Sequence, residues 1–338
     1  MLILGIETSC DDTAAGVVED GALVRSSVVL SQDGIHSKYG GIVPELASRQ
    51  HIEAIAPVVE EALAKASVTL DCVDGISVTE GPGLVGSLLV GMSFAKAISF
   101  AKGIPLTAVN HIEAHSVAAF LTEPGLAVKP PKFPFVSLVV SGGHTTLFLV
   151  NDYTAHEVIG ETLDDAAGEA FDKAAKLLGL GYPGGAMIDA LAKNGNPAYV
   201  EFTRPYLAKD SLDFSFSGIK TAVLNRVRGF NGAISDDVLK DLSASFQEAI
   251  VDVLVTKAMR AVKKTGVSHL VAAGGVACNS RLRRKLTEEA SAYGVSLCIP
   301  PPRFCSDNAA MVAGMGFYKM QKGVFAGLDL NANPNMPR

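Results

Sequence analysis

A chain of 338 residues is longer than one hydrophobic core usually supports, so two domains or lobes are expected. With 48% hydrophobic and 19% charged residues, 33 glycines and no tryptophan, the composition is that of a compact α/β protein and excludes a disordered one. The net charge of −6 argues against strong unaided nucleic-acid binding, and five cysteines without C-x-x-C spacing fit reduced thiols in a cytoplasmic protein.

Met1 to Ile6 enters strand-like sequence with no basic n-region or cleavage site, so no signal peptide is expected. Leu2 to Val18 reads as a strand, a tight polar turn through Glu7, Asp11 and Asp12, and a second strand. A helix is predicted over Pro57 to Ala66. The uncharged apolar stretch Pro82 to Ala95 ends at Lys96 and is too short to span a bilayer.

Next comes Asn110-His111-Ile112-Glu113-Ala114-His115. Histidines at i and i+4 project from one helix face, so His111 and His115 could share a metal ion. A protease helix of the H-E-x-x-H type has its glutamate directly after the first histidine. Here Glu113 falls two positions later, about 200° around the helix, where it cannot serve a metal-bound water as base. The alternative is one core and one surface histidine on an amphipathic helix.

Pro124 to Pro134, rich in Pro and Gly, suggests a lobe boundary. Beyond it, Phe135 to Val150 repeats the strand, small polar turn and strand, with Val140, Ser141, Gly142, Gly143 and His144 at the turn. Backbone N–H groups in such turns can converge on a phosphate. Ala166 to Leu178 reads as a helix. Between Lys220 and Ala290 there are 12 Lys or Arg against 7 Asp or Glu, and Arg281, Arg283, Arg284 and Lys285 follow Lys257, Arg260, Lys263 and Lys264. That is either a face for a phosphate backbone or a solvated helix face. His269 to Ser280 is a strand running through Gly274-Gly275 into a helix that starts near Asn279. From Ser306 onward a helix is expected, with Ser306 or Asp307 as N-cap.

Two similar hairpins followed by a third glycine turn resemble the actin-like, Hsp70 and sugar-kinase (ASKHA) superfamily. The resemblance implies an α/β fold of two actin-like lobes with duplicated ribonuclease H-like cores and an interlobe cleft. The lobes would be residues 1–128 and 129–322, with a tail at 323–338 and a last helix that packs back on the first lobe.

More specifically, the chain resembles the TsaD (Gcp) family of bacterial tRNA threonylcarbamoyladenosine transferases over essentially its full length. The marks are Gly5 to Thr13, Gly40 to Arg49, Glu80 to Leu84, His111 to His115, Ser141 to Thr145, Gly181 to Gly185, Ser215 to Lys220 and Ser306 to Asn308. The resemblance implies transfer of a threonylcarbamoyl group from threonylcarbamoyl-AMP to the exocyclic amine of the adenosine beside the anticodon. It implies His111, His115 and Asp307 as ligands of one divalent metal, Fe(II) first, with Zn²⁺ or Mg²⁺ as alternatives. The donor would be held by Val140, Ser141, Gly142, Gly143, His144, Asp172, Gly185, Asp189 and Asn279. Glu7, Asp11 and Asp12 are the candidate acids for taking up a proton, with Asp11 preferred. Implied partners are tRNA, a TsaB-like paralogue, a TsaE-like ATPase and an upstream TsaC-type enzyme that forms the adenylate, with no membrane. An exposed apolar patch on the first lobe would be the dimer site. A metalloprotease and a nucleotide-dependent regulatory ATPase scaffold are the alternatives.

Overall fold

The computed structural model describes residues 1–125, 129–208, 210–230 and 234–336, and the chain builds the same unit twice. In the first, β1 (Leu2–Glu7), β2 (Asp12–Glu19) and β3 (Leu23–Ser31) form an antiparallel meander. α1 (Asp33–His36), α2 (Pro44–Ala66), β4 (Gly75–Gly81), α3 (Val85–Lys102) and β5 (Leu106–Asn110) follow. The last two strands add parallel to β1, giving the order β3-β2-β1-β4-β5. α4 (His111–Val117) then leads towards the second unit.

The second unit begins with the meander β6 (Phe135–Val140), β7 (Thr145–Asp152) and β8 (Ala155–Glu161). Its helices are α5 (Ala167–Leu177), α6 (Gly184–Ala192), α7 (Ser217–Arg228) and α8 (Asp236–Thr265). β9 (His269–Ala273), α9 (Ser280–Ala292), β10 (Ser296–Cys298), α10 (Pro302–Cys305) and α11 (Ala309–Gln321) follow. The sheet order β8-β7-β6-β9-β10 reproduces the first lobe strand for strand. Both meanders close alike, at Glu7 opposite Ala14 and Val140 opposite Thr145. This is the duplicated actin-like architecture that the two hairpins imply.

One helix departs from its expected bounds. α2 begins at Pro44, not Pro57, and carries Pro57 in its interior. Pro57 cannot donate to the carbonyl four residues back. It lies on the exposed side, however, while Ala47, His51, Ala54, Ile55, Val58, Val59, Ala62 and Ala66 form an unbroken buried stripe. Burial of that stripe outweighs one missing hydrogen bond. α3 is 18 residues long and apolar enough by composition to cross a membrane. Its Leu88, Met92 and Ala95 are buried in the first lobe.

The end of the chain returns to the first lobe. A Cβ on Gly5 would lie 2.1 Å from the Ala309 carbonyl oxygen, so α11 sits directly on β1. The Ser77 hydroxyl donates to the Val312 carbonyl at 2.8 Å. Beyond α11, the Ala326 amide donates to the Leu106 carbonyl and the Asn333 amide to the Glu80 carbonyl. Of the connection between the lobes, residue 128, the expected last residue of the first, lies outside the described residues.

Candidate metal centre and cleft

α4 is the piece both lobes share. The Asn110 side-chain oxygen accepts from the Ile112 and Glu113 amides, which starts the helix immediately after β5. Ile112 packs with Phe135, Val139 and Phe148 of the second lobe. Ala114 and Val117 pack with Ile3 of the first lobe and with Met311, Val312 and Met315 of α11. A helix wedged between two cores has no solvent face for its histidines, and both rings are buried, His111 at 4% and His115 at 0% exposure. The division into one core and one surface histidine is thereby excluded.

The Asp307 Oδ1 atom lies 3.5 Å from His111 Nε2 and 3.3 Å from His115 Nε2. All three ligand atoms fall within 4.8 Å of one another. Neither ring nitrogen of His115 has a hydrogen-bond partner among the described residues, although the ring is fully buried. A buried imidazole without a hydrogen-bond partner, its Nε2 turned to a carboxylate, suits a metal ligand set. Two imidazoles and one carboxylate therefore fit a divalent ion with open positions.

His111 Nδ1 is 2.9 Å from Glu7 Oε2, while the Thr79 hydroxyl donates to the same oxygen at 2.6 Å and the Ser9 amide donates to Oε1. Burial pushes the Glu7 carboxyl up, but His111 outweighs it and holds the group below the usual range. For His111, burial lowers the ring's pKa, yet Glu7 and Asp307 together raise it to about 9. His115 is lowered by burial despite Asp307 beside it. Burial also opposes the Asp307 charge, but the His111, His115 and His144 rings keep it ionised. The structure thus moves Glu7 from the candidate bases to the support of His111: its carboxylate is enclosed by donors and cannot meet an incoming amine. Thr79 and Ser9, whose hydroxyl is 3.3 Å from His111 Nδ1, were missed from the sequence. Neither carries a spacing signal of its own.

The expected cap of the last helix is corrected. Neither Ser306 nor Asp307 caps α11; the Asn308 side chain does, accepting from the Met311 amide at 2.9 Å. Asn308 also donates to the Ser306 carbonyl. With the cap supplied by its neighbour, Asp307 is free to face the histidines.

The two other acids of the first hairpin differ. Asp12 has one buried oxygen without a hydrogen-bond partner, and burial followed by the charges of Asp307 and Asp11 pushes its pKa to about 8. Asp11 is also raised by burial, with the neighbouring Cys10 thiol opposing the shift. Across the cleft, Ser141 to His144 form the second turn, closed by the Ser141 amide to the His144 carbonyl at 2.8 Å. Gly142 and Gly143 have nothing within 4 Å of an added Cβ, so this turn opens on free space. Gly274, at φ +93° and only 2.2 Å from the Val140 carbonyl oxygen for an added Cβ, brings the third glycine turn against the second hairpin.

The polar donor-site candidates that remain already hold partners within the second lobe. Asp172 accepts from the Gly184 amide at 2.8 Å rather than pairing with Lys173 or Lys176. Asp189 accepts from the Ser280 amide and hydroxyl, 3.2 and 2.8 Å away. Asn279 caps α9 through the Leu282 amide and donates to Gln247 at 2.6 Å. Gly185 faces open space, its nearest neighbour for an added Cβ being Phe171 at 3.9 Å.

The expected basic face is largely an internal network. Arg281 and Lys285 pair with Glu248 at 2.6 and 2.8 Å, Arg283 donates to the Ala277 and Pro300 carbonyls, and Arg260 lies over the Tyr206 ring. Lys257 is buried, donating to the carbonyls of Tyr206 and Ser211. Arg284, Lys263 and Lys264 remain exposed. Glu113 points where its helical position predicted, away from the metal cluster, with its carboxylate 3.9 Å from His156. That removes the general base a metalloprotease would need.

Comparisons with known proteins bear on the fold and the family. The fold resembles full-length HypF in its phosphate- and nucleotide-bound form, with TM-score 0.60, 16% identity, and 96% of this chain and 56% of that one covered. It also resembles the Thermus thermophilus ROK hexokinase, with TM-score 0.51, 17% identity, and 96% and 100% covered. At such identities these two speak for the fold alone. The chain is 53% identical over 337 residues to the tRNA N6-adenosine threonylcarbamoyltransferase of Geotalea uraniireducens, covering 100% of this chain and 96% of that protein. To the Geobacter metallireducens protein of the same name it is 54% identical, covering 100% and 97%. Residues 23–314 match the TsaD family profile, described as tRNA N6-adenosine threonylcarbamoyltransferase. With relatives this similar along the whole chain, the protein belongs to the TsaD family of tRNA N6-adenosine threonylcarbamoyltransferases.

Proposed function

We propose that this chain transfers the threonylcarbamoyl group of threonylcarbamoyl-AMP to the N6 amine of adenosine 37, in tRNAs reading codons that begin with adenine, and releases AMP. The observation that carries the proposal is the convergence of His111, His115 and Asp307, with Asp12 of the first hairpin and His144 of the second close enough to feel the Asp307 charge. The amine is a poor nucleophile because its lone pair is delocalised into the ring. The site must therefore hold the donor, polarise the carbamoyl carbon and accept a proton.

A bound divalent ion, Fe(II) first given the two-imidazole, one-carboxylate set, would serve as template and Lewis acid for donor oxygens. The chain's own residues do the rest. The open turn at Gly142 and Gly143 aims amides at the phosphate or carbamate, and the space beside Gly185 admits the nucleoside. Asp172 in the middle of α5, Asp189 in α6 and Asn279 at the start of α9 supply the donor's polar contacts. Attack by N6 on the carbamoyl carbon breaks that carbon's bond to the phosphate oxygen, and the proton passes to Asp11. Asp12, raised to about 8, rests protonated near neutral pH and is the weaker candidate.

The acidic chain is proposed to share the tRNA with a TsaB-like paralogue and a TsaE-like ATPase, in the cytoplasm where a TsaC-type enzyme supplies the adenylate. Ile52 of α2 and Val85, Leu89 and Phe100 of α3 are exposed apolar side chains on the first lobe, a face suited to the paralogue. The test combines protein, partners, ATP, bicarbonate, labelled threonine, the adenylate-forming enzyme and tRNA. Label in the modified nucleoside is expected, and Asp11→Asn should abolish transfer while donor binding stays within a few fold. Phosphate release without tRNA label would overturn the proposal.

A further inference from the structure

The stretch that follows α11 reaches the metal centre by way of a single turn. Its Ala326 amide donates to the Leu106 carbonyl on β5, the outer strand of the first sheet, and the Lys96 ammonium of α3 donates to the Leu330 carbonyl at 2.6 Å. Ala326 and Leu330 also pack against the first lobe's core, which anchors the stretch at its middle. Beyond that anchor it closes over the turn between β4 and α3. The Asn333 amide donates to the Glu80 carbonyl at 2.9 Å, and the Pro334 carbonyl accepts from the Gly83 amide at 3.3 Å. A Cβ on Gly81 would lie 1.9 Å from the Asn333 carbonyl oxygen, so backbone rests on backbone there. The other side of the same turn meets the first hairpin. The Leu84 amide donates to the Ser9 carbonyl at 2.8 Å, and a Cβ on Gly83 would lie 2.4 Å from that carbonyl oxygen. The turn is thus held between Asn333 and Pro334 on one side and Ser9 on the other. Ser9 in turn meets both supports of His111. Its hydroxyl is 3.3 Å from His111 Nδ1, and its amide donates to Glu7, whose carboxylate lies 2.9 Å from the same nitrogen.

We propose that residues 324–336 are a positioning strap for the metal centre, pressing the turn from Gly81 to Leu84 onto Ser9 and so fixing the hydroxyl and the carboxylate that orient His111. A ligand imidazole is aimed by what its other nitrogen bonds, and a metal site tolerates misplacement of only about 0.5 Å. Two glycines give the turn wide backbone freedom, and the strap removes it by covering Gly81 and accepting from Gly83. None of the three clustered ligands comes from Glu80 to Leu84; the part this stretch plays is to pass the strap's pressure to the hairpin. The hairpin keeps a second anchor, the Thr8 hydroxyl donating to the Ser87 carbonyl at 2.9 Å, so losing the strap loosens Ser9 without unfolding the lobe. The inference rests on His111 being a metal ligand and not on the reaction assigned to the cleft.

The test measures zinc affinity, by competition with a chromophoric chelator, for the full chain and for a chain ending at Leu330, which keeps the Ala326 and Lys96 anchors. Shortening is expected to weaken binding by about tenfold. In a Ser9→Ala background the hydroxyl part of the relay is already gone, so the same shortening should cost no more than about threefold. A segment that only stabilised the fold would cost the same in both backgrounds. Lys96→Met keeps the full length and removes the donor to the Leu330 carbonyl; it should weaken zinc binding by about threefold, and Lys96→Arg should restore it. Unchanged zinc affinity in the shortened chain, or equal losses with and without the Ser9 hydroxyl, would overturn the strap. A full-length chain that binds no zinc would instead overturn the metal centre itself, and the strap with it.

Discussion

Glu7 Oε2 sits 2.9 Å from His111 Nδ1, so the first strand of the first lobe orients a ligand on the helix that joins the lobes. A carboxylate behind a metal-binding imidazole fixes the tautomer, leaves Nε2 as the free donor and raises its basicity. Glu7→Gln keeps an acceptor but removes the charge, and should weaken divalent-metal affinity by about 10-fold; Glu7→Ala should cost closer to 100-fold. Competition with a chromophoric chelator measures both. Unchanged affinity in the alanine variant would show that His111 needs no such partner.

Asp307 and Asn308 are adjacent but answer to different physics, and their variants should separate. Asp307→Asn removes a ligand and leaves the α11 cap intact, so metal binding and transfer should collapse; the metal-free chain also loses the attraction between Asp307 and the histidine rings and becomes less stable at neutral pH. Asn308→Ala removes the cap and should cost about 1 kcal/mol of stability, because the Met311 amide loses its acceptor. It should also weaken metal binding through the loosened Ser306 carbonyl contact. Metal binding lost to the same degree in the two variants would contradict this division.

The hairpins, glycine turns and histidine spacing were legible in the chain because each is a local pattern with one geometric meaning. What the sequence concealed depends on contacts between distant segments. Glu7 reads as a hairpin acid until β1 and α4 are brought together across 104 positions. The Lys and Arg run at Arg281 to Lys285 reads as a free cationic face until α8 brings Glu248 beside it. There the charge partner holds the Glu248 carboxyl down at about 2. Pro57 reads as a helix start because proline rules are local, whereas the buried stripe that carries α2 through it belongs to the whole lobe. Asp307 was recognised only through its family motif, since spacing alone makes it a cap.

Gly185 tests whether the open space beside α6 is the donor's. Its backbone is ordinary helix and an added Cβ meets only Phe171 at 3.9 Å, so Gly185→Ala should fold and gain up to about 1 kcal/mol. If a nucleoside occupies that space, the same methyl should weaken donor binding by about tenfold or more. Calorimetric titration with a non-hydrolysable donor analogue reads this directly. A variant that is more stable and binds the analogue unchanged would place the nucleoside elsewhere.

His156 gives the protein a specific acid sensitivity remote from the metal cluster. Its ring packs against Phe148, neither nitrogen has a hydrogen-bond partner among the described residues, and its nearest carboxylate is Glu113 at 3.9 Å. Burial lowers its pKa to about 4, with Asp152 opposing and Lys319 assisting. The folded-state value lies below the unfolded one of 6.5, so between those limits the unfolded chain binds more protons and stability falls as pH drops. Above pH 6.5 the neutral ring costs nothing; by pH 4 the loss approaches about 3 kcal/mol. His156→Phe keeps the aromatic packing and removes the titration. Urea unfolding of the chelator-treated protein from pH 7 to pH 4 should therefore show a shallower decline in the variant, the difference opening below pH 6.5. Parallel curves would mean that His156 is protonated in the folded chain and held by Glu113.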